Sequence, residues 1–237
     1  MNLMKRLVNR AGFRFGIRPF PWADEFKLAV DGGDQGAVFD RIHQENYWGS
    51  DESISGGGST KARTAAYSDA FLQLLEARAI GSIFDAPCGD LNWISDVIDR
   101  AKIEYIGGDI SEVTLATART RRPDLDLRLF NICTDSFPQV DLWHCRDCLF
   151  HLSFDDGLAA LRNFARSTIP YALITTNSGA YVRNMDIVTG GHRVTDLQRA
   201  PYNLPRPEQR IADYPPGLEF PRYVALWKRE SIAAAVL

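Results

Sequence analysis

A chain of 237 residues, 45% hydrophobic and 24% charged, can bury one substantial core, and no second globular domain is evident. Its 27 basic and 30 acidic residues leave a net charge of −3, so no global basic field points to nucleic acid. No apolar run approaches the roughly 20 residues of a membrane helix, and charge interrupts the N terminus before a secretory core could form; the expectation is a cytoplasmic protein without stable membrane insertion.

Residues 1 to 20 place Leu3, Met4, Leu7, Val8 and Ala11 at helical spacing among Lys5, Arg6, Arg10 and Arg14. Such a helix suits an anionic membrane surface, but the preferred reading is a helix packed on its own domain or on the partner subunit of a homodimer, ended by Pro19 and Pro21. A short amphipathic helix over Val38 to His43 runs into Gln44 to Thr60, which combines Tyr47 and Trp48 with hydroxyls and three consecutive glycines. Such a loop has little packing logic of its own and reads as a mobile lid over a ligand. Residues 1–60 are thus an N-terminal helical extension and lid. Ser59 or Thr60 can cap the helix that follows through Ala65, Phe71 and Leu75, and its N-terminus favours an anionic group such as a carboxylate.

Ser82 to Trp93 is a buried strand, a tight turn and a helix start, with Asp85 and Asp90 bracketing Gly89. A second strand, Glu104 to Ile110, ends in Asp109, one strand, turn and helix after Asp85, where an acid can accept hydrogen bonds from ribose hydroxyls. A helix through Leu115 and Ala118, a strand from Leu125 to Phe130 and a polar turn at Asn131 follow. A fourth strand runs from Val140 to Asp147, then a helix over Leu158 to Phe164 and a fifth strand from Tyr171 to Thr176. Beyond an irregular stretch, 177 to 207, the chain closes with two paired strands, Gln209 to Tyr214 and Arg222 to Trp227. Strands alternating with helices predict an α/β fold with a parallel sheet. Cys88, Cys133, Cys145 and Cys148 lie in or beside buried segments, and the Cys145-x-x-Cys148 pair lacks the second pair of a zinc site.

An acid at the second strand serves dinucleotides and S-adenosylmethionine. A pyrophosphate needs spaced glycines at the helix N-terminus, whereas this turn has Gly89 alone and places Asp90 where phosphate would be repelled. Carboxylates suit a ligand with a sulfonium, an ammonium and sugar hydroxyls. At these residues the chain resembles the class I S-adenosylmethionine-dependent methyltransferases: Asp85 to Asp90 resembles a variant of the first motif, Gly107-Gly108-Asp109 the ribose acid, and Asp141 to Leu152 the fourth-strand motif. More narrowly, Asn46 to Thr60 and Arg146 to Ser153 resemble a bacterial subgroup that methylates polysaccharide sugars, including mycobacterial methylmannose polysaccharide.

The resemblance implies a Rossmann-like, seven-stranded, mostly parallel sheet with helices on both faces, forming a methyltransferase domain over 61–237. It implies that Asp85, Ala86 and Gly89 meet the methionine end of the cofactor, that Asp109 and Ile110 hold the ribose, and that Asn131 and Ile132 flank the adenine. Tyr47, Trp48, Ser59 and Thr60 would close over the methionine carboxylate.

Methyl transfer to a sugar hydroxyl needs a base or a metal. Asp147, His151 and His144 are the candidates; His151 lies one helical turn past Asp147, and an imidazole near its ordinary pKa of about 6.5 suits a base. In strand alternation His144 and Arg146 share one face and Cys145 and Asp147 the other. Asp147 is alternatively a Mg²⁺ ligand. Arg146, Asn177, Asp186, His192, Arg193 and Tyr202 can offer hydrogen bonds, charge and aromatic faces to a small-molecule or oligosaccharide substrate, unless Asp186 and Arg193 only pair to order their loop. Methylation of another small metabolite, and a cofactor-binding module without catalysis, are the competing readings.

Overall fold

The computed structural model describes Met4, Val8, Ala11 and residues 34–179, 182–213 and 221–237. Met4, Val8 and Ala11 are helical and exposed; the rest of the helix expected over residues 1 to 20 lies outside the described residues, as does Tyr214. The elements, in chain order, are α1 (Gln35–Gln44), α2 (Lys61–Ala77), β1 (Ser82–Asp85), α3 (Ile94–Ala101), β2 (Glu104–Asp109), α4 (Glu112–Arg121), β3 (Asp126–Leu129), β4 (Leu142–Cys145), α5 (Phe154–Ala165), β5 (Tyr171–Asn177), β6 (Gln209–Ala212), β7 (Arg222–Lys228) and α6 (Arg229–Val236).

One seven-stranded sheet runs in the order β3-β2-β1-β4-β5-β7-β6. Strands β1 to β5 pair in parallel, and β7 lies antiparallel between β5 and β6. Successive side chains on a strand point to opposite faces, and this sequence makes both faces apolar. Phe84, Trp143, Ile174 and Trp227 face one helical layer, which contains Leu161, Phe164 and Ile232. Ile83, Leu142, Leu173 and Leu226 face the other, which contains Tyr67, Phe71 and Val97. A sheet covered on both sides is what parallel pairing requires.

Strand β1 lies between β2 and β4, so the chain winds outward in both directions from it. The crevice beyond the carboxyl ends of β1 and β4 is the switch point where ligands bind in such sheets. Caps fix the helices that border it: Ser111 Oγ accepts from Thr114 N on α4 (3.2 Å), and Ser153 Oγ from Asp156 N on α5 (3.1 Å).

Three sequence expectations change. Neither Ser59 nor Thr60 caps α2 through its side chain; Thr60 Oγ1 turns back to Gly57 O, and Glu52 Oε1 takes the Lys61 amide at 2.7 Å. Strand β4 stops at Cys145 because Asp147 adopts a left-handed backbone, φ 56°, and so leaves the strand alternation assumed for it. Helix α6 was unanticipated: Ile232 and Val236 bury on the α5 side of the sheet. No helix among the described residues is long and apolar enough to cross a membrane.

Trp143 lies under the switch point, against Phe137 (5.1 Å) and Phe164 (5.0 Å), and its indole donates to Ala86 O at 2.9 Å. Trp143→Ala is expected to cost about 3 to 5 kcal/mol, read as a lowered urea midpoint.

Candidate functional site

The turn after β1 is built around a close approach. Gly89 has φ 60°, and a Cβ there would come within 2.5 Å of Ser55 Oγ. The space belongs to the 45–60 segment, which crosses the turn as a strap. Ser53 Oγ donates to Asp90 Oδ1 at 2.8 Å, Ser55 Oγ accepts from Asp90 N at 3.0 Å, and Asn92 Nδ2 donates to Glu52 Oε1 (2.7 Å) and Ser59 O (3.0 Å). The loop expected as a mobile lid is therefore fastened to the turn by its own hydroxyls and one carboxylate.

Under strap and turn lies a pocket, partly open to solvent. Trp48, Ser59, Asp85, Gly89, Asp109, Ile110, Asn131 and Ile132 line it, as do Arg146, Asp147, His144 and His151. Tyr47, Thr60 and Ala86 do not: Tyr47 packs on Val38 and Ile42, Thr60 starts α2, and the fully buried Ala86 bonds to His144 O and the Trp143 indole.

Asp109 is buried, and its two oxygens accept the backbone amides of Gly89 and Ser111, both at 3.0 Å. Burial pushes its carboxyl up to about 6, although those amides oppose the shift. The carboxylate retains acceptor capacity for a ligand hydroxyl beyond these amides. Asp85 accepts Tyr105 OH at 2.8 Å and His144 Nδ1 at 2.6 Å, and Tyr67 OH occupies His144 Nε2 at 2.9 Å. Both ring nitrogens of His144 are thus bonded within the protein and the side chain has no exposed surface. At the far end Asn131 accepts Cys133 N at 2.8 Å and meets Gln35 of α1 at 3.3 Å.

At the mouth, Trp48 stacks on His151 with ring centroids 4.9 Å apart and meets His43 edge-on at 5.2 Å. His151 Nδ1 bonds to Gly191 O at 2.7 Å, and burial lowers the imidazole to about 4, not the near-ordinary value expected. The ring is therefore neutral at physiological pH. Burial would raise Asp147, but Arg146 and Arg222 outweigh it and hold the carboxyl below its ordinary range; Arg222 Nη2 lies 3.2 Å away. An acid neutralised by two guanidiniums is a weak base and a poor seat for Mg²⁺. Among the described residues no group of three or more His, Cys, Asp or Glu converges to hold a metal ion. The residues present do not fit the magnesium site expected at Asp147.

Except for Arg146, the residues expected to bind substrate do not line the pocket. Asn177 Oδ1 accepts Thr195 N at 3.1 Å, Asp186 accepts Phe154 N at 2.7 Å and pairs with Arg193 at 3.3 Å, and Tyr202 is fully buried beneath Arg193. His192 packs on Phe150 at 5.2 Å. These side chains order the 182–204 loop. Sequence reasoning missed Gln35, Phe39 and His43, pocket walls from α1 whose four-residue spacing marks one helix face. It also missed Glu52, Ser53 and Ser55, and the Asp213 carboxylate that grips Arg146 at 2.8 Å.

Gly89→Ala places a left-handed alanine against Ser55. A loss of about 1 to 2 kcal/mol from strap docking raises the open population about 5- to 30-fold. Limited proteolysis within 45–60 is expected to accelerate accordingly.

The sequence matches no protein-family model and no curated protein. Solved structures do share the fold. Magnesium protoporphyrin IX methyltransferase (ChlM) from Synechocystis PCC 6803 with bound SAH superposes with a TM-score of 0.53 at 11% identity, covering 95% of this chain and 99% of that chain. SibL, an S-adenosylmethionine-dependent methyltransferase in its apo form, gives 0.56 at 15% identity over 96% of this chain and 74% of its own. A methyltransferase of the same cofactor class from Clostridium acetobutylicum ATCC 824 gives 0.53 at 12% identity, covering 69% and 91%. Many of the structures this chain resembles are S-adenosylmethionine-dependent methyltransferases, and its fold is theirs.

Proposed function

We propose that the chain is an S-adenosylmethionine-dependent O-methyltransferase acting on a hydroxyl of a sugar or oligosaccharide. The observation that carries the cofactor reading is the buried Asp109 carboxylate at the end of β2, facing the switch-point pocket with Asp85 across the turn. Two acids without a glycine-rich anion seat disfavour a pyrophosphate and favour a cationic ligand with ribose hydroxyls. Asp109, Asp85, Gly89, Asn131 and Ile132 would hold the cofactor, which when bound supplies an electrophilic methyl group on a sulfonium. The shared fold supports this reading; the sugar acceptor rests on the strap and fourth-strand motifs.

The chain's own work is placement and proton acceptance. The strap covers the turn, and Trp48, stacked on His151, gives the pocket an aromatic wall beside that ring. Neutral His151 can accept the hydroxyl proton. A base near pKa 4 suffices when the transfer is late, because the proton becomes acidic as its oxygen gains positive charge. A second reading, a less polar hydroxylated metabolite, is favoured by Phe39, Ile132 and Leu152 on the pocket wall. Labelled methyl transfer to a panel of sugars and of phenolic or aliphatic alcohols separates the two; no transfer to any sugar overturns the sugar reading.

Calorimetry with S-adenosylmethionine tests the cofactor directly. Only the ionised Asp109 accepts at all its lone pairs, so affinity is expected to be full above pH 6 and to fall as pH drops through about 6. Asp109→Asn is expected to weaken binding about 10- to 100-fold at pH 8 and to remove that pH step. Absence of binding by the folded wild-type protein rejects the cofactor reading.

A further inference from the structure

The 182–204 loop returns to the end of β4 and grips one residue from several sides. Gly190 N donates to His151 O at 2.7 Å, Arg193 N to Phe150 O at 3.1 Å, and Gly191 O faces His151 Nδ1 at 2.7 Å. A backbone carbonyl only accepts, so Nδ1 must carry the hydrogen of that bond. In the neutral ring the lone pair is then on Nε2. Nε2 has no hydrogen-bond partner among the described residues and is not among the buried unpartnered atoms. It belongs to a ring that lines the pocket beneath Trp48.

Two residues beyond Gly191 the loop carries an arginine inside the protein. Arg193 is 2% exposed. Its guanidinium reaches Thr195 Oγ1 (3.1 Å), Tyr202 OH (2.5 Å), Leu149 O (3.3 Å) and Asp186 (3.3 Å), and it covers the Phe154 ring at 4.5 Å. Tyr202 is wedged against α5 at Gly157, where a Cβ would come within 2.6 Å of its hydroxyl. The guanidinium thus joins the loop to the Leu149–His151 turn and to the start of α5, beside the backbone bonds that Gly190 N makes to His151 O and Gly191 N to Val188 O.

We propose that Arg193 is a positioning residue: by pinning Gly191 O against His151 it fixes the Nδ1–H tautomer and presents Nε2 as the proton acceptor for the hydroxyl being methylated. The last step rests on the O-methyltransferase reading; the tautomer does not. No other signal in the sequence distinguishes Arg193 from a substrate-binding cation, and its burial is what moves it from one role to the other.

The test is ¹⁵N NMR of the histidine rings in the full chain at neutral pH, with His151 assigned by its loss in His151→Gln. The expected wild-type pattern is a protonated, pyrrole-type Nδ1 and a pyridine-type Nε2. Arg193→Met is expected to mix the tautomers and to lower kcat about tenfold or more, with cofactor Kd changed less than about twofold; Arg193→Lys restores part of both. A wild-type ring protonated at Nε2, or an Arg193→Met protein with the wild-type tautomer, overturns the proposal. If Arg193→Met fails to fold, Tyr202→Phe, which removes one guanidinium partner, is read in the same way. The expected tautomer without methylation of any hydroxyl supports the positioning role and rejects the catalytic reading instead.

Discussion

Two carboxylates, Asp85 and Asp109, end adjacent strands inside the protein, and among the described residues neither has a lysine or arginine against it. A buried acid without a cation must be satisfied by neutral donors or by the ligand itself. Much of the pocket follows from that need. Tyr105 and the His144–Tyr67 chain serve Asp85, while the amides of Gly89 and Ser111 serve Asp109. Ser111 also caps α4 and donates to Asp40 at 2.7 Å, which brings α1 over the pocket. The turn, the helix cap and the N-terminal wall are therefore one hydrogen-bonded structure.

The half of the pocket built on β1 and β2 was locatable from the sequence because its residues are local. Asp85, Gly89 and Asp109 occur at strand ends, and alternating apolar segments locate those ends without tertiary knowledge. The half around Asp147 and His151 was not, for two reasons. Asp147 is placed by a left-handed backbone that no spacing rule anticipates, and its partner Arg222 comes from β7. Arg193 and Tyr202 carry groups that suit a sugar, yet their burial turns those groups toward each other. Residue type indicates what a side chain can bond, whereas burial decides whether substrate can reach it.

The two halves also differ in how they handle charge. Around Asp85 and Asp109 no lysine or arginine pairs with the acids among the described residues, and His144 alone among basic side chains meets Asp85, a setting that suits a cation. Around Asp147 and Asp213, Arg146 and Arg222 balance the acids within the protein. On that side Trp48, His151 and Leu152 line the pocket beside an internally balanced set of charges.

Glu52 has a consequence outside the pocket. One oxygen of its side chain holds both the first amide of α2 and the side chain of Asn92, so a single carboxylate joins the strap, the helix and the turn. Lifting the strap strips both donors at once, and the first turn of α2 loses its cap in the same event. Strap and helix start are thereby coupled through one side chain, so a displacement of either is felt by the other.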